Sequence, residues 1–321
     1  MQRVIDVFNG DADGICALHQ LRLVDPADAE LVTGPKREIS LLKRVQAQAG
    51  DHVTVLDIAL SKNRAALDSV LAAGAQVRYF DHHQPGDIPV HPLFEPHIDT
   101  DAQVCTSLLV DQYLHGKQRI WAVTAAFGDN LAESAQQAAK PLNLSPDQLT
   151  QLQSLGECLN YNGYGETLAD LFFDPAELYR QLRDYTDPFR FMQESAAYPI
   201  LKTGYAEDMA RAVDVAPVEQ QIAGRVFCLP AEKWARRISG VFGNRLAVQS
   251  PAQAHAVLTA KAEGGYVVSV RAPKQSPAGA DAVCSQFETG GGRRGAAGIN
   301  HLPESELNRF MSIFYTTFTR S

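Results

Sequence analysis

The sequence predicts an α/β protein, a doubly wound parallel sheet followed across a cleft by a second, smaller α/β domain. Three observations carry this expectation. Short apolar runs alternate with helix-like stretches through the first hundred residues, a mostly helical tract fills about 105–212, and strand-like runs return after it. Alternation of strand and helix at this spacing is the pattern of a parallel sheet covered on both faces.

In chain order, residues 3–8 (RVIDVF), 30–34 (ELVTG), 52–58 (HVTVLDI) and 76–82 (QVRYFDH) read as strands, rich in β-branched and aromatic residues. Between them, 36–48 and 61–74 read as helices, the second opening on Ser61 as N-cap and closing on Gly74 as C-cap. Apolar residues then recur at helical spacing in CTSLLVDQYLHG, RIWAVTAAFGDN, SPDQLTQLQSLGECL and DPAELYRQL. Past a linker at 196–215, QIAGRVFCL, AHAVLTAKA and YVVSVRA read as strands, with a helix at 237–249 and another from about 303. The expected division is 1–195, the linker, and 216–321.

Composition narrows the function. The net charge of −8 speaks against wrapping a long nucleic acid, which relies on a basic surface to release counterions. Five scattered cysteines without a CxxC pair argue against a zinc knuckle or a disulfide frame. No apolar run approaches the roughly 20 residues that cross a bilayer, and the opening residues run into acids, so a cytoplasmic location without membrane association is expected. A homodimer is allowed by the apolar helix faces.

In an open α/β sheet, ligands bind beyond the carboxyl ends of the strands. Asn9, Asp11 and Asp13 follow the first strand, Asp57 the third, and Asp81, His82 and His83 the fourth; Asp129 ends a helix that can approach from above. Carboxylates gathered on one rim repel one another unless cations lie between them, so the crowding reads as a metal cradle. Oxygen donors with one or two imidazoles suit Mn²⁺ or Mg²⁺ better than zinc. A calcium loop fits less well, because Gln20 stands where its bidentate Glu belongs. Taken singly, Asp11 also reads as a helix N-cap. Further on, GGGRRGAAG (290–298) offers an anion seat: the backbone of Gly290, Gly291 and Gly292, with Arg293 and Arg294, and Arg271 as a third cation. Phe287 and Tyr266 are the candidates for stacking on a base.

NGDADG, VLDIA, YFDHHQPGD and AFGDN, followed by VSVRAP and FETGGGRRGAAGI, together resemble the motifs of the DHH phosphoesterase superfamily with its C-terminal DHHA1 domain, over nearly the whole chain. The resemblance implies two Mn²⁺ ions, or Mg²⁺ in their place. Asp11 and Asp57 would hold one ion, and Asp13, Asp57, His82 and Asp129 the other, with Asp57 bridging and His83 beside the substrate phosphate. It further implies hydrolysis of phosphate esters, here of linear dinucleotides such as pGpG or pApA, or of very short oligoribonucleotides. An exopolyphosphatase, a 3′-phosphoadenosine phosphate phosphatase and a catalytically weak nucleotide sensor are the alternatives. Two positions depart from the pattern: Asn9 stands where the first motif has His, and Arg293 where the last glycine motif has His.

Overall fold

The structure, a computed structural model, describes residues 2–319. The chain divides into two units, with the boundary between Thr203 and Gly204.

The first unit runs β1 (Val4–Phe8), α1 (Ala12–Val24), β2 (Glu30–Val32), β3 (His52–Leu56), α2 (Leu60–Ala72), β4 (Gln76–Asp81) and β5 (Phe94–Ile98). Six helices follow: α3 (Thr106–Tyr113), α4 (Arg119–Gly128), α5 (Ala132–Ala139), α6 (Pro146–Gly163), α7 (Pro175–Leu182) and α8 (Pro188–Glu194); α9 (Ala197–Val213) begins in this unit and runs past the boundary. All strand pairs are parallel, in the order β2-β1-β3-β4-β5. Side chains alternate across this sheet. Phe8, Leu56 and Phe80, in register, pack with α1, α3, α4 and α6 on one face, while Val7, Val55 and Tyr79 pack with α2 on the other. Both faces are therefore covered, as a doubly wound sheet requires. The strand order reverses between β1 and β3, so the loops after these strands open a crevice at the carboxyl edge.

Two local expectations are corrected. Residues 36–48 form no α-helix; a 3-10 turn at Leu41–Arg44 buries Leu41 and Leu42, and these two apolar residues produced the helical pattern. Ser61 does not cap α2. The Leu60 N–H instead donates to Asp81 Oδ2, 3.2 Å away, so the cap comes from the end of β4. The segment 196–215, read as a linker, is mostly the helix α9, and the boundary between the two units falls inside it. β5 was not anticipated, because Pro96 and charged neighbours blur its pattern; as an edge strand it tolerates the missing N–H.

The second unit holds β6 (Glu219–Gln221), β7 (Gly224–Leu229), α10 (Lys233–Gln249), β8 (Ala254–Ala260), β9 (Tyr266–Arg271), α11 (Ala280–Cys284), β10 (Gly290–Gly292), β11 (Ala296–Leu302) and α12 (Leu307–Thr319). The sheet order is β10-β11-β9-β8-β7-β6, with only β7 and β8 parallel, joined by α10. Phe310, Phe314 and Phe318 of α12 lie one turn apart and bury one helical face in the core of this unit. Among the described residues, no helix is long and apolar enough to cross a membrane.

Candidate metal centre

Each acid reaches the crevice for a local reason. Asp11 is the N-cap of α1: its Oδ1 accepts the Asp13 and Gly14 N–H groups at 3.0 and 3.1 Å. Asp13, one turn into α1, accepts the Thr106 and Ser107 N–H groups from the start of α3, at 2.8 and 2.7 Å. Two donors from a helix N-terminus fix this carboxylate while leaving each oxygen another lone pair. Asp57 follows β3 with φ of 58°, a left-handed conformation that is uncommon outside glycine and that turns the side chain into the crevice. Asp129 caps the end of α4. Its height is set by close helix packing: a Cβ on Gly128 would lie 2.5 Å from Ala12 Cβ and 2.7 Å from Gly156 O.

The histidines are oriented by their own partners. His82 Nδ1–H donates to Val104 O at 2.7 Å, which turns Nε2 toward the acids, 3.4 Å from Asp57 Oδ1 and 3.9 Å from Asp13 Oδ2. His83 Nδ1 lies 2.7 Å from Asp81 Oδ1, and the same oxygen accepts the His83 N–H. Asp81 is fully buried and serves both His83 and the α2 cap.

Two sets of donors form. Ligand atoms of Asp13, His82 and Asp129 lie within 4.8 Å of one another, as do those of Asp57, His82 and His83. His82 belongs to both, so the two sets adjoin at this imidazole. The oxygen-rich set with one imidazole fits Mn²⁺ or Mg²⁺. Without a cation the cluster is electrostatically uncomfortable. Burial first, then the charges of Asp11 and Asp13, push the Asp57 carboxyl up to about 8. Burial also raises Asp13. Burial pulls His82 down, but Asp57, Asp13 and Asp129 outweigh it and hold the imidazole at about 10.

The Asp11 side of the crevice differs. Its Oδ2 is in contact with Lys36 Nζ, which also lies 3.3 Å from Asn160 Oδ1 and 3.6 Å from Asp129 Oδ1. Burial opposes the charged lysine, yet Asp11 holds its pKa well above the ordinary value. Asp11 is correspondingly lowered despite its burial. Asn9 is buried, and its Oδ1 has no partner among the described residues. Lys36, Asn160 and the α3 N-terminus are the residues that sequence reasoning missed. The available signal was Gly34-Pro35, a turn that delivers residue 36 to the same rim as the other strand ends.

In the second unit, the glycine-rich segment is a β-hairpin rather than a loop. Gly290, Gly291 and Gly292 pair with Ile299, Gly298 and Ala297, and Arg293 and Ala296 exchange backbone bonds around Arg294-Gly295. Gly290 is dictated by packing, because a Cβ there would lie 1.8 Å from Cys284 O, and Gly292 by its φ of 142°. Arg293 and Arg294 are exposed. Arg271 aligns with Ala296 at the same end of the sheet. Its guanidinium folds onto Asn244 Oδ1 at 2.6 Å, Ser269 Oγ at 2.9 Å, Val270 O and Gly240 O, anchoring β9 to α10. Phe287 is buried against Phe310, with Arg309 over its ring, so it is a core residue and not a stacking platform.

No protein-family model matches the sequence, and no curated protein matches it. Solved structures do match the fold. Exonuclease RecJ bound to manganese superposes with a TM-score of 0.63 at 15% identity, over all of this chain and 91% of that one. Thermus thermophilus RecJ with Mn²⁺ gives 0.62 at 17%, and there this chain spans 52% of the longer protein. The pGpG-specific phosphodiesterase PggH of Vibrio cholerae gives 0.56 at 13%, covering 100% and 99% of the two chains. The chain has the DHH fold. The first three motifs that suggested the resemblance lie at the carboxyl ends of strands of the first sheet.

Proposed function

We propose that the chain is a divalent-metal-dependent phosphodiesterase that hydrolyses linear dinucleotides or very short oligoribonucleotides to mononucleotides. The meeting of two donor sets at His82, one with Asp13 and Asp129 and one with Asp57 and His83, is the observation that carries this reading. The fold shared with RecJ and with a pGpG-specific phosphodiesterase supports it, as does the acidic net charge, which disfavours long polymers.

Asp13, Asp57, His82 and Asp129 would hold the metal. A divalent ion bound there would polarise a water for attack on phosphorus and offset charge on the phosphoryl oxygens. His83 is the group for the substrate. Burial lowers its pKa, but Asp81 and Asp57 outweigh this and raise it, which favours the cationic imidazole beside a phosphate. Asp81, by accepting from Nδ1, fixes the ring. Arg293 and Arg294, exposed on the β10–β11 turn, give the second unit a cationic surface of its own.

The test is a panel of 5′-phosphorylated linear dinucleotides, polyphosphate and 3′-phosphoadenosine phosphate, each incubated with the purified protein and Mn²⁺. Dinucleotides should be cut to mononucleotides, and His83→Ala should lower kcat about 100-fold. Turnover of polyphosphate with none of the dinucleotides would overturn the substrate assignment.

A further inference from the structure

One positive charge is already built into the crevice. Gly34-Pro35 turns the chain after β2, and the Lys36 N–H donates to Gly163 O at 2.9 Å, so the backbone enters at a fixed point. From there the ammonium meets Asp11 Oδ2, Asn160 Oδ1 and Asp129 Oδ1, with the Tyr164 ring centroid 5.5 Å away. Three oxygens and an aromatic face are the surroundings of a held ammonium. Asp11 Oδ1 is taken up by two α1 N–H groups, and a metal on Oδ2 would sit against the Lys36 ammonium. Position 9 adds no charge: Asn9 offers a neutral amide oxygen, buried and unpartnered.

Charge counting leads to the same place. Asp11, Asp13, Asp57 and Asp129 supply at most four negative charges. One ammonium and one divalent ion offset three of them, whereas a second divalent ion would leave an excess of positive charge. It would also have to share Asp11 with the lysine at contact distance. We propose that the Lys36 ammonium replaces one of two cations, and that the chain binds a single divalent ion, at Asp13, Asp57, His82 and Asp129. This rests on the metal-dependent reading above. Asp57 then lies between a metal and a lysine-neutralised carboxylate, and the second positive charge is permanent rather than dependent on metal concentration. Mn²⁺ activation accordingly follows a simple hyperbola with a Hill coefficient of about one.

The experiment is a Mn²⁺ titration of the full chain, with bound metal counted by elemental analysis and its spectrum recorded by electron paramagnetic resonance. One ion per chain and a spectrum free of exchange coupling are expected for the wild type. In the double variant Lys36→Ala with Asn9→His, two ions and an exchange-coupled spectrum are expected. Two ions or a coupled spectrum in the wild type would overturn the proposal, as would a folded double variant, checked by circular dichroism, that still binds one. A wild type that binds no Mn²⁺ would overturn this proposal and the metal-dependent reading together. One bound ion in a protein that hydrolyses no phosphate ester would uphold the lysine substitution while the proposed function falls.

Discussion

Asp57→Asn should make the metal-free protein more stable while removing its response to Mn²⁺. Asp57 is buried and crowded by Asp11 and Asp13, so its carboxyl is shifted from 3.8 up to about 8. A carboxyl raised on folding contributes stability that is complete below its unfolded value and is lost as pH rises through the folded one. At 1.36 kcal/mol per pH unit, ionising Asp57 in the folded protein costs a ceiling of about 6 kcal/mol above pH 8. Asparagine removes that charge but also deprives His82 of its carboxylate partner at 3.4 Å, so a net gain of about 2 kcal/mol is the reasonable expectation. The left-handed φ of 58° favours asparagine further. For a unit of this size, about 2 kcal/mol raises Tm by roughly 4–8 °C. Thermal melts in EDTA at pH 5 and pH 8 test this. The gain should be small at pH 5, where Asp57 is already protonated, and large at pH 8. Added Mn²⁺ should raise the wild-type Tm, by about 2.7 kcal/mol of stabilisation at a hundred times its Kd, and leave the variant unmoved. A variant that melts lower than wild type at pH 8 without metal would refute the electrostatic account of this site.

Two further perturbations follow. Gly128→Ala places a methyl 2.5 Å from Ala12 Cβ and 2.7 Å from Gly156 O; it should cost about 1–3 kcal/mol in urea unfolding and weaken Mn²⁺ binding, because it displaces Asp129 next door. Arg22→Met strips the fully buried Asp6 of a bidentate partner at 2.6 and 2.8 Å; it should cost about 3–5 kcal/mol at pH 8 and less at pH 5, where the already raised Asp6 carboxyl can protonate, as urea melts at the two pH values will show.

The parallel sheet was legible because its strands are short apolar runs whose two faces are both buried, and the rim of acids because polar groups ended three of those runs. Strand β5 and the 3-10 turn at Leu41–Arg44 were not, since Pro96 interrupts one pattern and adjacent leucines imitate a helix in the other. Lys36 was hidden for the same reason: assigned to a helix, it had no cause to enter the site. Asp11 shows a different limit. Its cap role and its place in the acid cluster are both real, and only coordinates reveal that the lysine claims its second oxygen. The three glycines of 290–292 read as an anion cradle from flexibility alone, whereas strand pairing and the carbonyl of Cys284 explain Gly290 and Gly292.

A single carboxylate, Asp81, is tied at once to the first turn of α2 and to the imidazole proposed to meet the phosphate. Selection therefore has no independent handle on it: a change at that position that retunes the His83 ring also unseats the helix behind the sheet. Variation at the site would have to be written instead into positions that no helix cap depends on.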